Sequence, residues 1–546
     1  MKPTTSTDNG DGVFAWGGGP HSDGWFALRN GTVDQLITSA STPITAHVDN
    51  WSFFGQDTWK MSPRLSLTYG FRWEINTPPV SDTAGHPLYA VQGIFDSNPL
   101  QLAPAGTPLW QTQYNTLAPR IGAAYQITPR TLLRGGFGFF YDLGYAGGVA
   151  GTMGGEFPYL RQKSVPGYDD QGNPVLPLDL SLPIYQPPPF TTTITADALY
   201  IDAVDPHLRL PVTYQWNAAF QRALSANQSV SATYIGAHGE NLLRRDGVVP
   251  PDSVFAGGAG LVAATRGNGY SHYNALQIQF MRGMSRGLQA LLSYNLSKSS
   301  DVGSCEYGLC GGQYAANLGS LVLPRISPSD FDIRNTISSA LSYDIPAPQW
   351  GTVGHAALSG WALDAIFRLN SGPPLNVLIG GFDSGLGYYT VQPDLVPGQP
   401  IWIPDPTEPA GKALNPKAFT LPTFPARGNF PRNGIRSPYG IDQTDLSLRR
   451  RFNITERVKL DARVEYFNVF NHPMFGDSYG NYGFWGYCSG NTASSCAGNA
   501  FLTFGKIWPG NTLNVALGGG GLNGGQSALY APGGPRSAQF ALKLSF

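Results

Sequence analysis

The chain has 546 residues, enough for several soluble domains or for one large barrel. Its 35 basic and 36 acidic residues give a formal net charge of -1, which argues against a nucleic-acid partner. Only 13% of the residues are charged while 12% are aromatic, and 68 glycines and 45 prolines accompany them, which excludes disorder and does not suit a helix-rich cytosolic enzyme. Strands, turns and long loops fit this composition better.

The N-terminal segment, residues 1–45, shows little that predicts structure. It lacks the apolar stretch of a secretory signal, so we expect no export signal in the chain as given. One short strand signal runs from Val13 to Trp16, and we interpret the segment as the remnant of a preceding strand and loop. No stretch of the chain approaches the roughly 18 consecutive apolar residues that a membrane-spanning helix needs.

From residue 46 onward, the strand signals come in pairs joined by tight turns. Alternating residues from Leu65 to Ile75 are apolar, and the segment from about Asn50 to Met61 joins this strand through Ser62 and Pro63. Further hairpins are predicted for residues 121–127 with 132–141, 214–222 with 230–236, 276–281 with 288–296, 334–343 with 361–369, and 446–452 with 458–467. From Trp51 to Trp59 the alternation is less regular, because Asp57 shares a face with aromatic residues, so we expect a bulge or a shifted interface there.

Long stretches rich in Pro, Gly, Asn and Asp separate the hairpins, and we predict irregular structure in them: residues 77–115, 143–210, 239–271, 300–330, 372–439 and 471–536. Short turns that alternate with long loops are typical of outer-membrane barrels, where the short turns are periplasmic. We therefore predict an all-β fold, an antiparallel up-and-down transmembrane barrel of about 13 to 14 strands with long extracellular loops. Outer-membrane lipid is the expected surrounding.

The last strand alternates apolar and polar residues from Ala538 to Phe546 and ends on an aromatic residue. We expect Phe546 to act as a signal for the barrel-assembly machinery, which would be a partner. A charged ladder precedes it in the sequence, formed by Lys459, Asp461, Arg463 and Glu465. Four charges facing mid-bilayer lipid would cost about 10 kcal/mol, so these residues are predicted to face the lumen and to form salt bridges there.

Several segments resemble the barrel of TonB-dependent receptors, in particular the Oar-like group. They occur in order from Trp51 to the C-terminus: Trp51–Trp59, Pro63–Glu74, Leu117–Gly122, Leu133–Asp142, Tyr273–Gln277, Ser293–Ser299 and Phe467–Pro473. The resemblance implies a barrel of about 22 strands with a plugged lumen. Residues 46–546 would be part of such a barrel, without the plug domain, so we expect the C-terminal part of a receptor.

The function that the resemblance implies is uptake or surface binding of an unidentified ligand. A TonB-type energy-coupling complex would be a partner only if the missing plug region exists. Three alternatives stay open at this point: a passive structural or adhesive barrel, a non-functional gene fragment, and a soluble all-β lectin or hydrolase. An enzyme is not expected, and the sequence indicates no cofactor.

Motifs that suggest chemistry have simpler explanations. Residues 283–287 match the G-x-S-x-G pattern of a nucleophile elbow, but they join two alternating strands and therefore predict a hairpin turn. The glycines of residues 135–138 lie inside a strand, which favours curvature or close packing over phosphate binding. The eight histidines are scattered without the spacing of a metal site.

Cysteines and loop aromatics complete the candidate site residues. Cys305 with Cys310, and Cys488 with Cys496, are close pairs that predict local disulfides in an oxidising compartment, in preference to a zinc site. The last long loop contains four aromatic residues that are candidates for ligand contact or for a membrane rim: Tyr482, Phe484, Trp485 and Tyr487.

Overall fold

The computed structural model describes most of the chain between residues 35 and 472, together with three shorter segments outside this range. The described residues are 13–15, 35–94, 99–142, 149, 157–166, 186, 188–195, 200–248, 261–304, 314–315, 325–346, 351, 354, 358–372, 374–383, 387–406, 411–420, 428–436, 438, 440–455, 457–472, 481–489 and 536–546. Among these residues, no helix has the length and apolar character needed to cross a membrane.

Strands dominate the described structure, and a 3₁₀ helix at Pro416–Ala418 lies between two of them. In chain order the strands are β1 (Val13–Ala15), β2 (Gln35–Ser41), β3 (Ala46–His47), β4 (Asn50–Ser62), β5 (Leu65–Asn76), β6 (Val80–Ser81), β7 (Val91–Gln92), β8 (Gln101–Leu102), β9 (Gln113–Thr128), β10 (Thr131–Tyr141), β11 (Leu160–Pro166), β12 (Tyr200–Val204), β13 (Val212–Ser225), β14 (Gln228–Val248), β15 (Leu261–Ser285), β16 (Leu288–Asp301), β17 (Tyr314–Ala315), β18 (Ser327–Pro328), β19 (Asn335–Asp344), β20 (Trp361–Asn370), β21 (Pro374–Asp383), β22 (Gly387–Val391), β23 (Asp394–Leu395), β24 (Trp402–Pro404), β25 (Lys412–Leu414), β26 (Phe419–Thr420), β27 (Ile435–Arg436), β28 (Ile441–Asn453), β29 (Lys459–Phe467), β30 (Asn481–Ser489) and β31 (Ser537–Ser545).

One large antiparallel sheet organises the described part of the chain. Its strands follow each other in the order β4-β5-β9-β10-β13-β14-β15-β16-β19-β20-β28-β29-β31, so neighbours in the sheet also follow each other along the chain. Three short strands, β12, β17 and β18, pair at its margin. This meander contains the six predicted hairpins and the predicted last strand, which confirms the all-β antiparallel prediction.

Five of the six connections at one end of the sheet have two to five residues, and the sixth, between β19 and β20, has 16; we call this the tight-turn end. The connections at the other end, here called the long-loop end, have 12 to 70 residues. Between β15 and β16 the two turn residues are Arg286 and Gly287, with φ of 51° and 76°. Positive φ at both central positions defines a type I′ turn, whose twist suits a hairpin. The G-x-S-x-G segment therefore forms a hairpin turn, as predicted.

Strand register places apolar and polar residues on opposite faces of the sheet. One row across β14, β15, β16 and β19 contains Ala232, Ile278, Tyr294 and Ile337, and the next row contains Thr233, Gln277, Asn295 and Thr336. Large side chains of the apolar face remain exposed, for example Ile121 at 57% and Leu448 at 40%. A soluble protein rarely leaves such a continuous apolar face in water.

The two edges of the sheet are β4 and β31. Among the described residues, β4 pairs only with β5 and β31 pairs only with β29, so the barrel is not closed. Along this thirteen-strand meander the first and last strands run in the same direction. A direct β4–β31 ladder would therefore be parallel, whereas single-chain bacterial barrels contain an even number of antiparallel strands.

Three clusters of buried apolar side chains lie at the long-loop end of the sheet. We call this region, built from the long connections and the strand ends that extend into them, the loop layer. Its three clusters include Ile94, Ile201 and Val262; Trp110, Tyr159 and Leu210; and Val377, Leu414 and Phe430. Among the described residues, the main hydrophobic core is therefore formed by the long connections and the strand ends next to them.

This organisation corrects the prediction that the long stretches are irregular. Residues 239–248 and 261–271 continue the ladder of β14 with β15, with register shifts after Gly239 and after Leu242. Short strand pairs such as β7 with β8 and β24 with β25 order other connections. Turn-rich composition indicated loops correctly, but it carries no information about how far a neighbouring strand extends.

Two further details differ from the predictions. Val13–Ala15 is a strand, as expected, but it pairs with β2, which in turn pairs with β11, in a separate three-stranded sheet. The register of β4 with β5 is continuous from Asn50 to Lys60 and becomes irregular only between Lys60 and Ser62. Asp57 lies on the apolar face as expected and accepts a hydrogen bond from the Tyr69 hydroxyl at 3.1 Å.

Candidate functional site

The polar face of the sheet carries the charged ladder that the sequence predicted. Asp461 Oδ1 lies 2.7 Å from Arg451 Nε, and Glu465 Oε1 lies 3.6 Å from Arg463 Nη1. Lys459 shares this face and is in register with Ser545. Pairing of acids with arginines confirms the prediction of salt bridges for this ladder.

Neighbouring strands extend the ladder toward β19. Arg449 Nε lies 3.0 Å from Asp364 Oδ2, and Arg449 Nη2 lies 2.9 Å from Asp344 Oδ1. Ser342 donates a hydrogen bond to Asp364 Oδ1 at 2.6 Å. Exposed ion pairs of this kind add little stability, so their main consequence is a continuous hydrophilic wall across five strands.

A depression of about 270 Å³ lies on the same face farther along the sheet. Its lining includes one register row of Gln56, Gly70, Arg120, Gly138 and Gln215, and a second row of Thr68, Gly122, Gly136 and Asn217. Arg120 lies over the Phe140 ring, with 4.3 Å from Cζ to the centroid. A Cβ atom on Gly138 would lie only 3.1 Å from Arg120 Cγ, so close packing is one role of this glycine.

Beside the depression, a buried carboxylate is held by two neighbours. Glu74 is 4% exposed, and its carboxylate accepts hydrogen bonds from Arg72 Nε and from the Ser52 hydroxyl. Arg72 Nη2 also donates to Ser52 Oγ at 3.1 Å. All three residues lie on the polar face near the long-loop end, so this wall is polar up to its rim.

An aromatic row marks the apolar face at the same rim. The Phe139 and Tyr214 rings are 4.8 Å apart, Tyr214 and His238 are 6.0 Å apart, and the stacked His238 and His272 rings are 4.5 Å apart. At the tight-turn end, Arg450 lies over Trp361 with 5.2 Å from Cζ to the ring centroid. Aromatic girdles at two interfaces are a feature of transmembrane barrels.

A buried ion-pair network connects segments of the loop layer. Arg432, which is 6% exposed, binds the Asp301 carboxylate and lies 2.5 Å from Asp330 Oδ1. Asn433 Nδ2 donates to the same Asp330 oxygen at 2.6 Å. These contacts join the end of β16, the segment after β18 and residues 428–436 into one unit. Sequence reasoning missed this network because its members are far apart in the chain and share no motif.

Asp202 is a second buried carboxylate of the loop layer. It is 5% exposed and binds Arg245, but its Oδ2 atom has no hydrogen-bond partner. Burial raises the pKa of Asp202 above its ordinary value of 3.8, and the neighbouring Arg245 guanidinium offsets this effect only in part. Protonation of Asp202 is therefore easier in the folded state than in the unfolded chain.

The other predicted site residues have mixed outcomes. Cys305, Cys310 and Cys496 lie outside the described residues, so both disulfides stay predictions. Cys488 belongs to β30, which also contains the four candidate aromatics Tyr482, Phe484, Trp485 and Tyr487. This strand pairs in parallel with β21, outside the large sheet. A contact of these aromatics with ligand stays a prediction. Phe546 follows β31 and is 96% exposed.

Within the described ranges, no group of three or more His, Cys, Asp or Glu side chains has the geometry of a metal site. The described residues instead form a polar wall with a depression, an apolar outer face and a folded layer over one end. These features are suited to binding and passage of a solute.

Comparison with known proteins identifies the family. The chain matches the outer membrane beta barrel domain model over residues 3–509. No curated protein matches the sequence. Similar solved structures include the outer membrane transporter YddB from Escherichia coli, with 11% identity, 80% of this chain and 51% of that chain covered, and a TM-score of 0.38.

Two receptor structures show the same level of similarity. The alcaligin outer membrane receptor FauA from Bordetella pertussis has 10% identity, 79% and 47% coverage and a TM-score of 0.36. The pyoverdine outer membrane receptor FpvA from Pseudomonas aeruginosa PAO1 has 12% identity, 84% and 47% coverage and a TM-score of 0.39. This chain spans about half the length of these structures. Because the family model matches most of the sequence, the protein belongs to the outer membrane β-barrel domain family and its location is the outer membrane.

Proposed function

We propose that this protein is the barrel of an outer-membrane receptor or transporter of the TonB-dependent, Oar-like type. The observation that carries the proposal is the loop layer. Three apolar clusters and the Arg432 network make the long connections a folded structure over one end of the sheet. Ordering so many residues costs conformational entropy, which supports a specific surface for capturing a ligand.

The wall below the loop layer supports passage of that ligand. Its polar face carries the charged ladder and the depression around Arg120, so a hydrophilic solute would meet hydrogen-bonding groups along the sheet. The opposite face is apolar and ends in aromatic rows, as contact with lipid requires. Uptake and surface binding both fit this arrangement, and the ligand is not identified by it.

Strand parity supports a larger barrel. Among the described residues, the thirteen-strand meander has two edges that run in the same direction, so closure into an even-numbered antiparallel barrel needs an odd number of strands besides these. Open edges in lipid leave backbone groups unpaired at several kcal/mol each. We therefore propose that further strands, together with a plug and a TonB-type coupling partner, complete the functional receptor.

A test of this proposal is the DNA sequence upstream of the Met1 codon, read in frame. We expect a signal peptide, a plug domain and further strand segments. A stop codon without these elements would contradict energy-coupled transport, and a passive or adhesive barrel, or a non-functional fragment, would then replace it.

A further inference from the structure

Arg161 is a buried cation in the loop layer without an acidic partner among the described residues. It is 8% exposed, and its Nε and Nη1 atoms are buried without hydrogen-bond partners. Its Cζ atom lies 5.2 Å from the centroid of the Phe190 ring. Arg432, which is buried to a similar extent, instead contacts both Asp301 and Asp330.

The Phe190 ring, which faces the Arg161 guanidinium, also contacts an imidazole and a second aromatic ring. His86 lies 5.5 Å from Phe190 and 5.9 Å from Tyr159, both in edge contacts, and Tyr159 lies 6.3 Å from Phe190. Tyr159 is 1% exposed and its hydroxyl donates to the carbonyl of Pro87. His86 Nδ1 is also buried without a hydrogen-bond partner. Because Phe190 is 43% exposed, one side of the cluster is accessible from outside.

A lone buried guanidinium is costly, because it has lost hydration and gained no counter-charge. It remains protonated at physiological pH, so deprotonation does not remove the cost. Burial also lowers the pKa of Arg161, which reflects the same loss of hydration. The contact with the Phe190 face compensates only in part, since it leaves the N–H donors unsatisfied.

We propose that His86, Tyr159, Arg161 and Phe190 form a binding site for a small carboxylate that carries a flat apolar group. The carboxylate would accept hydrogen bonds from Arg161, the arrangement in which guanidinium and carboxylate match best. The rings would contact the apolar part. One fixed positive charge balances a carboxylate, whereas it would leave a phosphate dianion only partly neutralised. The inference rests on the proposed function in one respect, that ligand reaches the loop layer from outside.

The test is calorimetric titration of the full chain in lipid nanodiscs with benzoate as the probe, and with benzamide and inorganic phosphate in parallel. We expect saturable binding of benzoate, and weak or no binding of the other two. Arg161→Gln should weaken benzoate binding at least about tenfold, because a charge-assisted hydrogen bond is lost. Phe190→Leu retains the charge and removes a ring, and should weaken binding to a smaller extent.

Arg130→Gln is the matched control, because Arg130 is an exposed arginine in the β9–β10 turn at the opposite end of the sheet. It should leave benzoate binding unchanged. Absence of saturable benzoate binding, equal binding by Arg161→Gln, or tighter binding of phosphate would each overturn the inference. Membrane insertion of every variant is measured separately by urea resistance in the membrane fraction. Normal insertion without benzoate binding refutes this site and leaves the proposed receptor function standing.

Discussion

Lysine substitution at two adjacent positions of β16 would test which face of the sheet contacts lipid. Leu292 lies on the apolar face, 41% exposed and in register with Phe280, while Ser293 lies on the polar face in register with Gln279. A spanning strand has roughly 9–11 residues, so these positions, near the middle of the hairpin arm, lie close to the bilayer midplane. The two substituted residues therefore lie on opposite faces of the sheet but at nearly the same depth in the bilayer.

The expected difference follows from the cost of a lysine in lipid. Leu292→Lys should destabilise the folded barrel by about 2–4 kcal/mol, a factor of roughly 30 to 700 in the folding equilibrium. Ser293→Lys should cost little, because the ammonium group remains hydrated in the lumen. Leu292→Ala is the control that separates loss of the side chain from gain of the charge.

Urea unfolding of the full chain in phospholipid vesicles, followed by tryptophan fluorescence, measures these free energies. Leu292→Lys should have a clearly lower unfolding midpoint than Leu292→Ala, and Ser293→Lys should resemble the unsubstituted chain. Equal costs at the two positions, or a larger cost at Ser293, would refute the assignment of the apolar face to lipid. Either result would also remove the basis for placing the charged ladder in the lumen.

Three other predictions concern the turns and the loop layer. Gly287→Ala should destabilise the β15–β16 hairpin by at least about 1 kcal/mol, measured by urea unfolding, because φ is 76° and a Cβ atom would lie 2.5 Å from a backbone carbonyl. Arg432→Leu should loosen the loop layer by about 3–5 kcal/mol, measured by amide hydrogen exchange, because it leaves Asp301 buried and unpaired. The stabilising contribution of the raised Asp202 pKa is complete below pH 3.8 and is lost as pH rises through the raised value, so Asp202→Asn should flatten the pH dependence of loop-layer exchange over that range.

The predictions for Gly287 and Arg432 each have a matched comparison. Gly283→Ala should be tolerated much better than Gly287→Ala, since the nearest atom to a Cβ there is 3.9 Å away. The double variant of Arg432 and Asp301 to leucine should recover part of the stability lost in the Arg432 variant. The buried charge of Asp301 is then gone, and the Asp330 side chain, 43% exposed, can stay hydrated without Arg432. If the double variant is destabilised as much as Arg432→Leu, the argument from the unpaired Asp301 charge is wrong. If Asp202→Asn leaves the pH dependence of loop-layer exchange unchanged, the argument from the raised Asp202 pKa is wrong.

The sequence was sufficient to predict the large sheet. Alternation with period two shows which residues share a face, and it identified all six hairpins and the strand that ends before Phe546. Turn chemistry identified the segment around Gly287 as a hairpin turn in preference to a catalytic elbow. The charged ladder from Lys459 to Glu465 showed which face is hydrophilic, because the energetic cost of charge in lipid excludes the other choice. These features depend on residues that are close together in the sequence, so a local sequence pattern is enough to predict them.

Only the tertiary structure showed what the long connections do. The contacts of Arg432 with Asp301, of Arg161 with Phe190 and of His86 with Tyr159 join segments that are distant along the chain. Composition predicted irregular structure there, whereas strand extensions and three apolar clusters make a folded layer. Turn-rich sequences have no regular alternation of apolar and polar residues, so their sequence does not indicate which other segments they contact. Which of their side chains become buried together is decided by the three-dimensional fold.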